Sequence, residues 1–153
     1  MKTFYVAFRR AGFSLLDRAI AFFDGHGHFC HAELLWPDRS KSFAIHAWVG
    51  CQYVDAPVYD PTQWVFVPIE LDEGRVSAAC DMIAGDKYDY FGCCRFLFKW
   101  LHPSHGRWFC TEGCAKIISV SGGPDLRRCY LIGPKELYQD LTGLAGLAKP
   151  CIT

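Results

Sequence analysis

Two short segments hold the side chains best suited to covalent chemistry. Cys110 stands in Trp108-Phe109-Cys110-Thr111-Glu112, after a glycine-containing loop and before a helix-like stretch. His31 stands in Cys30-His31-Ala32-Glu33-Leu34, a strand-like run, and His46 stands in the next such run. A cysteine reacts as its thiolate, and a helix N-terminus favours that form by setting partial positive charge beside the sulfur. A neighbouring imidazole favours it further and can carry the proton. The Cys110 N–H points to the same spot and can donate to an oxyanion. The base in turn needs a partner that fixes its tautomer. His46 can stand beside His31 across a predicted hairpin. Glu33 lies two residues along the same strand, on the face of His31. Of the two, His46 is preferred, because a cross-strand neighbour approaches the ring more closely.

The blander chemistry has its own claim on these residues. A cysteine in an apolar run is ordinarily a small core side chain. That is the expectation for Cys30, Cys51, Cys80, Cys93, Cys94 and Cys129, and for Cys114, one helical turn from Cys110. A zinc site is the rival use of the histidines, since His26, His28 and Cys30 share one face if that stretch is extended, with His31 next to them. No second Cys-x-x-Cys or His-x-x-x-His pair completes a tetrahedral set. Neither a metal nor a cofactor is therefore expected.

These residues must be positioned by the surrounding elements. Thr3 to Phe8 reads as a first strand. Ser14 to Asp17 has capping-box spacing, and Leu15, Leu16, Ala19, Ile20 and Phe23 fall on one side of a helix ending at Asp24-Gly25. Phe29–Trp36 and Ser42–Val49 read as a hairpin around Pro37-Asp38-Arg39-Ser40. Tyr53–Val58 and Trp64–Ile69 are further strands, and Pro57, Pro61 and Pro68 make them edges or strand ends. Asp72 caps a helix to about Ala84, with Gly85 as its stop. Tyr90–Leu101 reads as a buried helix, 110–120 as the helix behind the thiol, and Pro134–Tyr138 as a short helix opened by proline. The order predicts an α+β domain with a largely antiparallel sheet packed against helices.

With 153 residues, the chain is long enough for one domain with a real core, spanning 1–153 with a loose tail from about 143. It is 51% hydrophobic and carries 16 basic against 16 acidic side chains, which excludes a disordered chain and a polybasic nucleic-acid surface. No apolar run approaches the roughly 18 residues that span a bilayer, so no transmembrane segment is expected. The N-terminus lacks a signal-peptide pattern. With nine cysteines, an odd number, this predicts reduced thiols and a chain that is cytoplasmic at synthesis.

The same segments resemble circularly permuted NlpC-type members of the papain-like cysteine peptidase and amidase superfamily, the YiiX-like and tailed-phage proteins. Tyr88-Asp89-Tyr90-Phe91-Gly92 ahead of Phe109-Cys110-Thr111-Glu112 is similar to the tyrosine and nucleophile motifs of that group. Cys30-His31-Ala32-Glu33-Leu34-Leu35 is similar to its histidine strand, Ala44-Ile45-His46-Ala47 to its next strand, and Gly133-Pro134-Lys135-Glu136-Leu137-Tyr138 to its ending. The likeness implies a permuted papain-like fold with Cys110 as nucleophile, His31 as base and His46 as orienting residue. It implies that Tyr88 lines the nucleophile pocket and assists the oxyanion site. Thr-Glu follows the cysteine where Ser-Gly or Ser-Glu is usual, and Cys30 replaces a serine. His46 stands where Glu or Ser is common, which leaves Glu33 as the other candidate for the third role. The implied activity is hydrolysis of a peptide or amide, with peptidoglycan stem peptide as the leading substrate. The implied alternatives are a non-catalytic virion or tail module with phage partners, and a lipid-ester hydrolase or acyltransferase.

Overall fold

The run Thr3-Phe4-Tyr5-Val6-Ala7-Phe8 is apolar on both sides of a strand, which suits a position covered on both faces. It forms the middle of β1 (Lys2–Arg10), where Phe4, Val6, Ala7 and Phe8 are fully buried. The computed structural model describes residues 1–12, 15–23, 28–90, 106–126 and 132–147. β1 is followed by α1 (Leu15–Phe23), β2 (Phe29–Leu35), β3 (Lys41–His46), β4 (Gly50–Asp55) and β5 (Trp64–Leu71). The five strands form one antiparallel sheet in the order β4-β3-β2-β1-β5. The predicted α+β class and antiparallel sheet are those of the molecule. β5 is an edge strand, which is where Pro68, lacking an N–H, is tolerated.

Helices follow the sheet. Asp72 caps α2 (Glu73–Ile83) by accepting from the Arg75 N–H at 2.9 Å, and Gly85 ends the turn beyond it at φ +89°. α3 (Cys110–Val120) starts at the predicted residue and packs on β2 and α2. α4 (Pro134–Leu147) runs far past the short helix expected, into the region read as a loose tail. Its Tyr138 packs edge-on against Phe8 at 5.4 Å and against Phe29 at 4.8 Å, so its first turns are tied to the sheet. No helix among the described residues is long and apolar enough to cross a membrane.

Two strand boundaries shift. β3 stops at His46 rather than Val49, and β4 begins at Gly50 rather than Tyr53, because Ala47-Trp48-Val49 form the turn between them. A two-stranded parallel ladder, β6 (Lys87–Tyr88) with β7 (Arg107–Trp108), carries no periodic signal at two residues a strand. The predicted helix over 90–101, the caps at Ser14 and Gly25, and Cys93, Cys94 and Cys129 lie outside the described residues, except that Tyr90 forms a turn. Cys30, Cys51, Cys80 and Cys114 are buried free thiols, as expected of core cysteines.

The ladder matters because β7 runs directly into Phe109 and Cys110, and it is fastened to the sheet at β4. The Cys51 N–H donates to the Asp86 carbonyl at 2.9 Å, and the Gly85 N–H returns a bond to Cys51 at 2.9 Å. Gly50 permits that approach: at φ +86° a Cβ there would lie 2.2 Å from the Asp86 carbonyl oxygen. Gly85 has a similar φ of +89° but open space around it. Gly50→Ala should therefore lower unfolding free energy by more than about 3 kcal/mol, combining left-handed strain with a displaced backbone. Gly85→Ala should cost only the strain, about 1–2 kcal/mol. Equal costs in urea titrations of the two variants would refute the close-approach argument.

Candidate active site

β2 carries His31 and Glu33 two residues apart, so both side chains leave the same face of the strand. β3 pairs with β2 through Leu34–Phe43 and Leu35–Ser42. Continuing that register places His46 opposite His31, and the two rings stack at 5.1 Å between centroids and 17° between planes. The predicted meeting of the two histidines is therefore present. Its geometry is face to face, which leaves no in-plane hydrogen bond between the rings.

The carboxylate, not the second ring, approaches the ring nitrogen. Glu33 Oε2 lies 3.7 Å from His31 Nε2, with the two side chains 5% and 13% exposed. Its other oxygen accepts from the Tyr59 hydroxyl. Tyr59 was not singled out from sequence. It lies in the loop after β4, where Ala56 turns the chain at φ 45°, and its ring stands edge-on to Trp64 at 4.9 Å and Phe66 at 5.3 Å. The only sequence signal was a tyrosine held between Pro57 and Pro61. Burial, then the charge of Glu33, pushes the Tyr59 phenol above its ordinary range, so it remains a donor.

Cys110 is the first residue of α3 and 1% exposed. The Glu112 carboxylate accepts from the Phe109 N–H at 3.4 Å and closes the helix start. Burial pulls the His31 pKa down, but the neighbouring Cys110 thiol and Glu33 carboxylate outweigh it and raise it to about 9. His46 moves the other way, held below the usual imidazole range by burial and by the charge on His31. One histidine is thus kept as a cation and its stacked neighbour as a neutral ring. Arg9 stands beside His31 on β1, but its guanidinium is neutralised by both oxygens of Asp17 at 2.6 Å. The cation therefore adds little repulsion to an imidazolium.

A cavity of about 370 Å³ opens onto this cluster, bounded by His31, Glu33, His46, Tyr59, Trp64 and Tyr88. Tyr88 is buried on β6 and bounds the cavity, its ring 5.9 Å from that of Phe109, the residue before Cys110. Cys110 is buried and is not among the residues that bound the cavity. Cys30 turns away: its thiol points at the carbonyls of Arg9 and Arg10 at 3.6 and 3.5 Å. His28 is exposed, and His26 lies outside the described residues. Of the five residues singled out from sequence, His31, Glu33, His46 and Tyr88 bound this cavity and Cys110 does not. No known protein family matches the chain, and no curated protein matches it either.

The raised His31 pKa has a consequence for stability. A cation favoured by folding stabilises fully below the unfolded value of 6.5, and the contribution disappears as pH climbs through about 9. Unfolding free energy should fall across that window by on the order of 1–3 kcal/mol more in the wild type than in His31→Gln. Superimposable pH–stability curves for the two proteins would contradict the ion-pair assignment.

Proposed function

We propose that the chain is a thiol hydrolase of amide bonds, built on a permuted papain-like arrangement of the NlpC type. The observation that carries this reading is the packing of α3, which opens with Cys110, on the strand where His31 and Glu33 stand 3.7 Å apart. Thiol, imidazole and carboxylate in that order form a nucleophile, a base and an orienting group. A histidine strand ahead of the cysteine helix, packed on each other, also supports the permuted arrangement.

The chemistry follows from the roles. The Cys110 thiolate attacks the carbonyl carbon, and the electron pair moves onto the oxygen. The Cys110 N–H at the start of α3 can hold that oxyanion, with Tyr88 at the side. His31 gives its proton to the leaving nitrogen as the carbon–nitrogen bond breaks, leaving a thioester. It then takes a proton from water, whose oxygen attacks the thioester and releases the thiolate. Glu33, held by Tyr59, keeps the imidazole oriented and balances its charge. His46 packs on the ring. Peptidoglycan stem peptides are the first substrates to test.

A second reading, a binding module that uses the same cavity without covalent chemistry, is favoured by the burial of Cys110. Site-resolved alkylation separates them. With iodoacetamide from pH 5 to 9, Cys110 should outpace Cys30, Cys51, Cys80 and Cys114 below pH 7 and lose that lead in His31→Ala. A Cys110 no faster than the core thiols would leave the binding reading. In turnover assays, Glu33→Gln should cost about 10–100-fold in kcat and His46→Ala less, because only the carboxylate pairs with the ring nitrogen. The reverse order would overturn the role given to Glu33.

A further inference from the structure

The cluster at the cavity has a second chemical property that thiol catalysis does not use. His31, Glu33 and His46 each offer one ligand atom, and the three atoms lie within 4.8 Å of one another. Two imidazoles and a carboxylate are a donor set that zinc and its neighbours in the first transition row accept. His31 Nε2 is buried without a hydrogen-bond partner. One Glu33 oxygen is fixed by the Tyr59 hydroxyl, the kind of outer contact that orients a ligating carboxylate, and the other faces His31. The cavity supplies room for water in the remaining coordination positions.

We propose that a zinc-class divalent cation binds at His31, Glu33 and His46 and silences Cys110 by occupying the base. Zinc bonds to nitrogen and oxygen are about 2.0–2.2 Å long, so the ligand atoms must draw closer than they stand here. His46, at the end of β3 and half-buried, is the ligand free to swing inward. Binding releases the proton from His31, whose lone pair goes to the metal. With Nε2 on the metal, the ring can carry a proton only on its other nitrogen and can no longer form the imidazolium that pairs with a thiolate. The silencing half rests on the thiol reading above, and the binding half stands without it. The site differs from the zinc reading of His26, His28 and Cys30, since the Cys30 thiol faces backbone carbonyls.

The test starts from full-length protein treated with chelator and then dialysed. Titration with Zn²⁺ alone, followed by calorimetry, should show one site per chain. His46→Ala, chosen because that side chain is half-buried and its loss leaves the core intact, should weaken binding by about tenfold or more. Cys110→Ala should bind as wild type does. One equivalent of Co²⁺ should give visible ligand-field bands without the near-ultraviolet charge transfer of a thiolate. Absence of a stoichiometric site, binding unchanged in His46→Ala, or binding lost in Cys110→Ala overturns the proposal. In the same samples Zn²⁺ should slow alkylation of Cys110 in wild type and not in His46→Ala. Unslowed alkylation of a reactive Cys110 refutes silencing. A Cys110 already inert without metal defeats the thiol reading and the silencing with it, while a metal site seen by calorimetry stands.

Discussion

A carboxylate that folding takes almost wholly out of water is the constraint around which this molecule is arranged. Glu33 is 4% exposed. An unpaired charge there costs several kcal/mol, so it must be met by groups that replace its hydration. Three segments converge to do so: β2 brings His31, the loop after β4 brings Tyr59, and β3 brings the ring that packs on His31. Each is distant from the others in sequence, so the carboxylate is satisfied only when the hairpin and the loop are both in place. Removing one partner leaves a buried charge, which is why the site and the fold share the same weak point.

Fastening the helix is a separate problem with a separate solution. α3 must start where its first residue meets the imidazole, yet it follows a long excursion from the sheet. The β6–β7 ladder settles the approach of the chain, and Asp86 ties that ladder to β4 through backbone bonds and to Trp108 through its side chain, at 2.9 Å from the indole nitrogen. A glycine in the left-handed region lets the backbones come that near. The sheet thereby carries both halves of the site, the imidazole on a central strand and the thiol through an anchored turn.

Much of this was readable from residue order, where the signal was local. The apolar run of β1, the cap at Asp72 and the start of α3 at Cys110 each rest on neighbouring residues, and each falls where expected. What was not readable was set by contacts between distant segments. β3 was drawn too long because Trp48 and Val49 are apolar, although they sit exposed in a turn closed by Gly50. Two-residue strands give no periodicity to detect. Tyr59 is bound to Glu33 by a bond between residues with no pattern linking them. The choice between His46 and Glu33 turned on ring orientation: proximity across the hairpin was foreseen, but stacking satisfies packing and not the ring nitrogen.

The burial of Cys110 sets a kinetic regime for anything that reacts with it. A thiol on a residue 1% exposed meets an electrophile only after the packing around it has opened. At low reagent concentration the observed rate is the opening equilibrium multiplied by the intrinsic reactivity, so different reagents differ. At high concentration it reaches a plateau at the opening rate itself, the same for every reagent, as exchange of a protected amide does. Any reaction at that sulfur then has a ceiling that belongs to the fold rather than to the thiol. Faster modification would come from loosening the packing around it, and no gain in thiol reactivity could exceed it.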